Sequence, residues 1–331
     1  MGGFGILLTS LVHLANIRIM LRFPTRKPRL GLDITVSEAR LAVLSGSGPE
    51  LSVLSLERAP LPSGAINENY LSPAIADGEG LAGALGELLQ RVPSIKPGRT
   101  GLSLPDSLFR VQTFDFDDLP AKAADRERLI RWRFEKSAAF DTSGTVLRYQ
   151  VLQGQDKGVS LLACIAKRDM IAQFENVLLG LGLDPWLIGP SSFHTLNFFS
   201  PYMMKKSAGF ALASVIRNSF TTIVVERGGP RFYRFKEIKA GNPGDVRDRL
   251  ARELEDSLHF YRHLDRAQPS EVGHLYFTGE QAGLDTVALA LKDAASLEVE
   301  VLSPGDVLPG GALAGGEVSW FAAALGAGGM E

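Results

Sequence analysis

The alternation of hydrophobic and polar positions predicts three short strands near the start of the chain. Apolar runs separated by polar or glycine-containing turns place these strands at Leu30–Ile34, Ala39–Leu44 and Leu51–Leu56. A helix is predicted near Glu79–Arg91, because leucines recur there at helical spacing on one face. A further strand, Thr100–Leu104, completes this first unit.

The second half of the chain repeats this order of elements. Strands are predicted at Phe210–Ile216, Thr221–Glu226 and Arg231–Ile238, and a long helix runs from about Pro243 to Leu264. A strand at Gly273–Thr278 follows. Each half then continues with a helix, a strand and a helix, expected at Lys167–Leu181, Pro185–Ile188 and Ser191–Phe199, and at Leu284–Ala295, Leu297–Leu302 and Val318–Leu325.

The repeated order predicts the fold class. A three-strand meander followed by helix, strand, helix, strand and helix, occurring twice, is the layout of the duplicated ribonuclease-H-like fold. Actin, sugar kinases and heat-shock chaperones share it. We therefore expect an α/β protein with two actin-like lobes. The alternative is an α+β protein without internal symmetry, because the repeat concerns the order of elements and not residue identity.

A segment that the second half lacks predicts a small α+β subdomain inserted in the first lobe. It contains a strand at Phe109–Phe116, a charged helix at Ala121–Ala138 and a strand at Val146–Leu152. The expected organisation is an N-terminal extension at 1–28, a first lobe at 29–104 and 158–205, the inserted subdomain at 105–157 and a second lobe at 206–331.

Charge and cysteine content exclude several classes of function. The 331 residues include 35 basic and 37 acidic ones, for a net charge of −2, which gives no general attraction to nucleic acid or acidic membranes. A single cysteine, Cys164, excludes a disulfide framework and a cysteine-rich zinc site. It lies in an apolar run and is expected to be a small buried hydrophobe. A reducing, cytoplasmic compartment fits best.

The first 17 residues are uncharged and largely apolar, and basic residues follow them. The run lacks a basic leading region and a small-residue cleavage site, so it is a poor signal peptide. Polar residues interrupt it, and a membrane span needs about 20 apolar residues. Three interpretations stay open: an extension ahead of a start at Met20, an interfacial or docking helix, or a membrane anchor.

Two turns, one in each lobe, occupy the positions at which this fold holds phosphates. In the first turn, Asp33 is suited to hold a hydrated metal ion, and Thr35, Ser37 and Arg40 are suited to phosphate oxygens. However, Thr35 stands where a glycine would allow the closest approach. A capping role for Asp33 in the turn is therefore preferred to catalysis.

The second turn and the adenosine side depart further from a nucleotide site. Ser214 replaces an expected acid and cannot supply its charge to a cation, and Ile216 replaces an expected glycine. On the adenosine side, Gly279 is the one glycine where two are usual, and Glu280 adds negative charge. We expect no catalytic residue.

The charged helix of the inserted subdomain carries two aromatic residues, Trp132 and Phe134. At least one of them is expected in the core of the subdomain. The functional alternative is an aromatic edge beside Arg128, Arg131 and Arg133 that forms part of a peptide-binding groove.

Several short motifs, in order along the chain from about Leu21, resemble the PilM family. They are Gly31-Leu-Asp-Ile34, Leu104-Pro-Asp-Ser107, Ile130-Arg-Trp-Arg-Phe-Glu-Lys-Ser-Ala-Ala-Phe-Asp141, Tyr149-Gln-Val-Leu152, Glu253-Leu-Glu-Asp-Ser-Leu-His-Phe-Tyr-Arg262 and Leu275-Tyr-Phe-Thr-Gly279. PilM is the cytoplasmic actin-like protein of type IV pilus assembly and is related to FtsA. MshI and the cytoplasmic domain of GspL are related to it and share features of this pattern.

The resemblance implies a cytoplasmic protein of four subdomains, peripheral to the inner membrane. It implies that a groove between the core of the first lobe and the insertion binds the cytoplasmic tail of a PilN-like inner-membrane partner. It also implies binding of ATP and magnesium with little or no hydrolysis. The positions that match the nucleotide motifs are Asp33, Ser37 and Arg40 in the first, Ser219 and Thr221 in the second, and Gly279 in the adenosine motif.

The leading hypothesis is therefore a non-catalytic scaffold of pilus or secretion assembly. The departures at Thr35, Ser214 and Ile216 from the family pattern weigh against a working nucleotide site. The competing hypothesis is an ATPase of the same fold, and self-association into nucleotide-dependent filaments is a third.

Overall fold

The computed structural model describes residues 29–46, 51–70, 73–92, 99–138, 141–152, 158–226, 229–238, 243–263, 272–280, 284–295, 297–308 and 316–329. The apolar N-terminal run, with its three interpretations, lies outside these residues. Within the described part of the chain, no helix combines the length and the apolar character needed to cross a membrane.

The strands and helices follow the predicted order closely. In the described residues the strands are β1 (Arg29–Ile34), β2 (Glu38–Ser45), β3 (Ser52–Pro60), β4 (Arg99–Leu104), β5 (Phe109–Phe116), β6 (Thr145–Leu152), β7 (Val159–Lys167), β8 (Asp184–Pro190), β9 (Phe210–Ile216), β10 (Ser219–Glu226), β11 (Gly229–Glu237), β12 (His274–Gly279) and β13 (Glu298–Val301). The helices are α1 (Gly78–Gln90), α2 (Ala123–Ala138), α3 (Arg168–Gly180), α4 (Ser191–Lys206), α5 (Pro243–His263), α6 (Leu284–Ala295) and α7 (Ala322–Gly329).

Two five-stranded sheets have the same topology. The first has the order β3-β2-β1-β4-β8 and the second the order β11-β10-β9-β12-β13. In each, the meander is antiparallel and the two remaining strands run parallel to its first strand. This is the duplicated arrangement of an actin-like fold, so the predicted fold class is confirmed.

Alternating residues of the central strands face two different cores. On β2, Leu41 and Val43 pack into the core that α1 and α3 cover, whereas Ala42 and Leu44 face the core that contains α4 and α7. On β9, Phe210 likewise faces the core with α4 and α7, while its neighbours pack with α5 and α6. The helices α4 and α7 therefore lie between the two sheets and join the lobes.

The helix α7 consists almost entirely of alanine and glycine, and it approaches the first sheet very closely. A Cβ atom added at Gly31 of β1 would lie 1.8 Å from the carbonyl oxygen of Ala324. One added at Gly101 of β4 would lie 2.0 Å from the carbonyl oxygen of Ala327. Glycine at both positions is thus required, because any side chain would collide with backbone.

The inserted subdomain is a three-stranded antiparallel sheet with α2 against it. Its order is β5-β7-β6, so β7 is the central strand. The sequence pattern predicts no strand there, because the buried run lacks the alternation of a half-buried strand and α3 follows it without a turn. The expected boundary after residue 157 leaves β7 out of the subdomain, whereas its pairing places it there. Cys164 lies on β7 and is buried, which raises the pKa of its thiol to about 12.

Candidate functional site

The carboxylate of Asp33 lies at the end of β1 and is almost completely buried, with 1% of the residue exposed. Its Oδ1 accepts a hydrogen bond of 2.6 Å from Ser103 Oγ on β4, and its Oδ2 lies 3.3 Å from Arg40 Nη1. Burial raises the pKa of Asp33 to about 6, although Arg40 and the bond from Ser103 act in the opposite direction.

The guanidinium of Arg40 joins the two lobes. Besides Asp33, it forms an ion pair with Glu280 of the second lobe and donates to the backbone oxygen of Trp320 at 3.2 Å. Burial alone would lower the pKa of Arg40, but the carboxylates of Asp33 and Glu280 raise it above its ordinary value. A permanent internal cation therefore occupies the space beside Asp33.

The first turn satisfies its own hydrogen bonds. Thr35 Oγ1 accepts from the backbone N–H groups of Glu38 at 3.0 Å and Ser37 at 3.4 Å, and it donates to the Glu38 carbonyl oxygen at 3.0 Å. These N–H groups would otherwise be available to an anion. The hydroxyl of Thr35, which stands where a glycine is expected, therefore binds the N–H groups that a phosphate would otherwise use.

The two turns contact each other across the cleft between the lobes. Arg217 Nη1 donates to Ser37 Oγ at 2.6 Å, and Arg217 has a backbone φ of 52° in the left-handed region. Ser219 Oγ donates to the carbonyl oxygen of Ile216 at 3.0 Å, within its own turn. Ser37 and Ser219, both predicted to bind phosphate, are therefore engaged in protein contacts.

A buried carboxylate that the sequence analysis did not single out, Asp106, holds the lobes together below the turns. It accepts from Thr221 Oγ1 at 2.7 Å, from Ser192 Oγ at 2.9 Å and from the Ser192 backbone N–H at 3.2 Å. Burial raises the pKa of Asp106, and these hydrogen bonds oppose the rise. Thr221, predicted to contact phosphate, donates to this carboxylate instead.

The glycine of the adenosine motif has a structural explanation. Gly279 has a φ of 150°, and a Cβ atom there would lie 1.9 Å from the carbonyl oxygen of Val215 on β9. The next backbone N–H, that of Glu280, donates to the same carbonyl at 3.0 Å. Close packing of β12 on β9 therefore requires glycine, whether or not a ligand binds.

Among the described residues, the spaces beside Asp33 are too small for a nucleotide. Two spaces beside Asp33, one bounded by Trp320 and the other by Ser219, measure about 20 Å³ each. Such a volume holds about one water molecule, whereas small-molecule sites measure about 300–1,000 Å³. The residues present therefore do not fit ATP with magnesium in this closed arrangement. Among the described residues, no group of three or more His, Cys, Asp or Glu side chains is placed to hold a metal ion.

The aromatic edge predicted on α2 is only partly at the surface. Phe134 is buried in the core of the inserted subdomain, edge-on to Phe114, so it lines no groove. Arg131 Nη1 donates to Thr145 Oγ1 at 2.7 Å and to the carbonyl oxygen of Thr142, in the loop before β6, at 3.0 Å. Arg128 is exposed and pairs with Asp125, one turn away. Trp132 is 45% exposed, and Lys136 Nζ lies 4.3 Å from its ring centre.

Two open grooves flank the inserted subdomain. One, of about 630 Å³, lies beside Trp132 and Leu129 and extends to Gly158. The other, of about 700 Å³, lies where the first lobe, the insertion and the second lobe meet. We call it the β5–β11 groove, and it is lined by residues 68–70, 107, 109–111, 233–235 and 237. Of the four residues predicted for a peptide groove, Trp132 lines the first of these grooves, and none lines the β5–β11 groove.

Two duplicated sheets, an interlobe cleft and an insertion in the first lobe define an actin-like protein. Its structure is similar to a chain of the PilM–PilN type IV pilus biogenesis complex, with a TM-score of 0.74 and 20% sequence identity over 92% of this chain and 98% of that one. The fold expected from the resemblance to PilM is thereby confirmed.

Weaker similarity extends to other solved structures. A protein of unknown function with an actin-like ATPase fold from Bacteroides thetaiotaomicron gives a TM-score of 0.49 at 13% identity, covering 84% of this chain and 91% of that one. The ethanolamine utilization protein EutJ from Carboxydothermus hydrogenoformans gives 0.48 at 10% identity, covering 96% and 92%. No protein-family model and no curated protein matches the sequence.

Proposed function

We propose that this protein is a non-catalytic actin-like scaffold of type IV pilus or related secretion assembly. In this proposal it acts in the cytoplasm, peripheral to the inner membrane, and binds the cytoplasmic tail of a PilN-like membrane protein. The observation that carries the proposal is the contrast between the two sites. The cleft expected to hold a nucleotide is filled by protein side chains, whereas the β5–β11 groove is open.

The shape and lining of the β5–β11 groove suit an extended peptide. Its volume of about 700 Å³ is large enough for several side chains, and Phe109, Val111 and Phe235 supply apolar surface. Tyr70 forms one wall, where the Arg110 guanidinium lies 4.2 Å from its ring centre and keeps the ring in place. Anchoring pockets with aromatic walls are typical of peptide recognition.

The filled cleft supports a structural role for the lobes. Two buried or partly buried contacts span it, Arg40 with Glu280 and Asp106 with Thr221, and an exposed hydrogen bond from Arg217 to Ser37 also crosses it. Opening the cleft would leave charged and polar groups without partners, at a cost of several kcal/mol. A rigid pair of lobes is suited to position a bound tail and is poorly suited to a nucleotide cycle.

Isothermal titration calorimetry with a synthetic PilN-like tail peptide tests the proposal. We expect saturable binding to the purified protein and loss of binding in Asn69→Trp, because an indole at this exposed position would fill the groove. The matched control is Gln90→Trp, which adds the same side chain at the exposed end of α1. If the wild-type protein does not bind, or if both variants bind equally well, the groove is not the tail site.

A further inference from the structure

We propose that the β5–β11 groove selects a peptide with a basic residue. The side chain of that residue would lie between the carboxylates of Glu68 and Glu237. This inference rests on the proposed function, since it specifies the chemistry of the tail. The peptide is expected to bind as an extended strand. Three features of the groove favour such a peptide: an acidic pair, a buried hydroxyl without a partner, and two strand edges.

The acidic pair, Glu68 and Glu237, is part of the lining of the groove. Burial raises the pKa of Glu68, Arg217 lowers it, and repulsion from Glu237 raises it again, so the two carboxylates are close enough to interact. Among the described residues, neither carboxylate takes part in a salt bridge or a side-chain hydrogen bond. A cation from a ligand would relieve their repulsion and pair with both.

The basic groups that line the groove are committed elsewhere. Arg110 Nη1 donates to the carbonyl oxygens of Ser107 at 3.2 Å and Phe109 at 3.0 Å while its guanidinium covers Tyr70. Arg234 Nη1 donates to Ser257 Oγ at 3.3 Å. Arg217 also attracts Glu68, but it does not line the groove and donates its hydrogen bond to Ser37. The acidic pair therefore remains accessible to a cation from a ligand.

The hydroxyl of Ser107 indicates that the groove is built to receive a polar ligand. Ser107 is only 6% exposed, it lines the groove, and its Oγ has no hydrogen-bond partner in the described structure. Buried polar atoms are normally paired, and an unpaired one is unfavourable. An N–H or C=O group of a peptide backbone would satisfy this hydroxyl, whereas an apolar ligand would not.

The walls of the groove explain why the peptide should be extended. β5 is an edge strand of the small sheet, and β11 is an edge strand of the second large sheet. The two strands contact each other, and residues of both line the groove. Edge strands carry unpaired backbone N–H and C=O groups, which an extended peptide that lies along one of the edges can use. Side chains of such a peptide alternate in direction, so a single basic residue can point to the acidic pair.

Selection from a phage-displayed library of random decapeptides tests this inference. Peptides enriched on the wild-type protein are expected to share Lys or Arg at one position. Replacing that residue by Gln should weaken binding about tenfold in the wild-type protein, as measured by fluorescence anisotropy, but less than about twofold in Glu68→Gln/Glu237→Gln. Glu87→Gln/Glu255→Gln, which removes two exposed charges outside the groove, should behave as the wild type does.

The possible results separate this inference from the proposed function. Enriched peptides that compete with one another and are blocked by Asn69→Trp, but share no basic residue, would overturn the basic-residue inference and leave the tail-binding proposal standing. The basic-residue inference would also be overturned if replacing the basic residue by Gln weakened binding equally in the wild type and in Glu68→Gln/Glu237→Gln. Failure to enrich any peptide that Asn69→Trp blocks would overturn both.

Discussion

Thr221 of the second lobe donates a hydrogen bond of 2.7 Å to Asp106 of the first lobe, and both residues are buried. They are 115 positions apart in the sequence. Since the same carboxylate also accepts two bonds from Ser192 at the start of α4, it ties both lobes to the helix between them.

Replacing Thr221 by Val should destabilise the protein by about 1–3 kcal/mol. The substitution keeps the shape of the side chain but leaves one oxygen of the buried Asp106 carboxylate without its donor. Urea unfolding at pH 7.5 measures the change. Ser52→Ala, which removes an exposed hydroxyl on β3, is the control and should change stability little. An unchanged midpoint for Thr221→Val would mean that the bond contributes nothing to the joining of the lobes.

The pKa of Asp33 predicts that its contribution to stability depends on pH. Because the folded-state pKa, about 6, lies above the unfolded value of 3.8, the folded protein holds this proton more tightly. Stability is therefore highest below pH 4 as far as Asp33 is concerned, and it falls as the pH rises from about 4 to 6. The loss at pH 7 is about 3 kcal/mol.

Comparison with Asp33→Asn isolates this effect. The amide can still accept from Ser103 but does not titrate in this range. The difference in unfolding free energy between wild type and variant should move by about 2 kcal/mol in favour of the variant between pH 4 and pH 7. A difference that stays constant over this range would show that the pKa of Asp33 is not raised.

ATP with magnesium should not raise the melting temperature of the wild-type protein. The spaces beside Asp33, about 20 Å³ each, cannot admit a nucleotide, and ligands stabilise only the state that they bind. A thermal-shift titration measures this. A magnesium-dependent rise that disappears in Asp33→Ala would contradict the scaffold proposal and favour the ATPase hypothesis, with lobes that open.

Replacing Gly101 by Ala should destabilise the protein by about 3 kcal/mol or more, because the new Cβ atom would meet the backbone of Ala327. Gly83 provides a matched control. It lies on the exposed side of α1 with no atom within 4 Å of an added Cβ, so Gly83→Ala should stabilise by about 0.5–1 kcal/mol. Thermal unfolding of both variants gives the comparison. Equal changes in stability in the two variants would mean that α7 does not pack closely against β4.

The order of the elements was predictable because it depends on local periodicity. The helix α6 has the predicted bounds because it shows one clear hydrophobic period, and β9 has them because a glycine precedes its apolar run and a polar turn follows it. The strand β7 is harder to predict, because its sequence does not alternate and α3 begins directly after it without a turn.

The composition of the cleft was less predictable than its position. Asp33 and Arg40 are both predicted in the first turn, and the pairing of β1 with β2 places them opposite each other. Their closing partner Glu280 and the pair of Asp106 with Thr221 come from distant segments, and no local pattern reports which side chains will meet. Phe134 and Trp132 show the same limit, because two positions on one helix separate into core and surface only after β5 and β7 pack.

The close seat of α7 on β1 and β4 has a consequence for biosynthesis. One face of the first sheet, with Ala42 and Leu44, is covered by a segment that begins at residue 322. At translation rates of about 5–20 residues per second, that segment leaves the ribosome about 10–45 s after β4. The nascent first lobe must therefore wait with an apolar face uncovered, and it is during this interval, before the protein meets any partner, that a chaperone would be needed most.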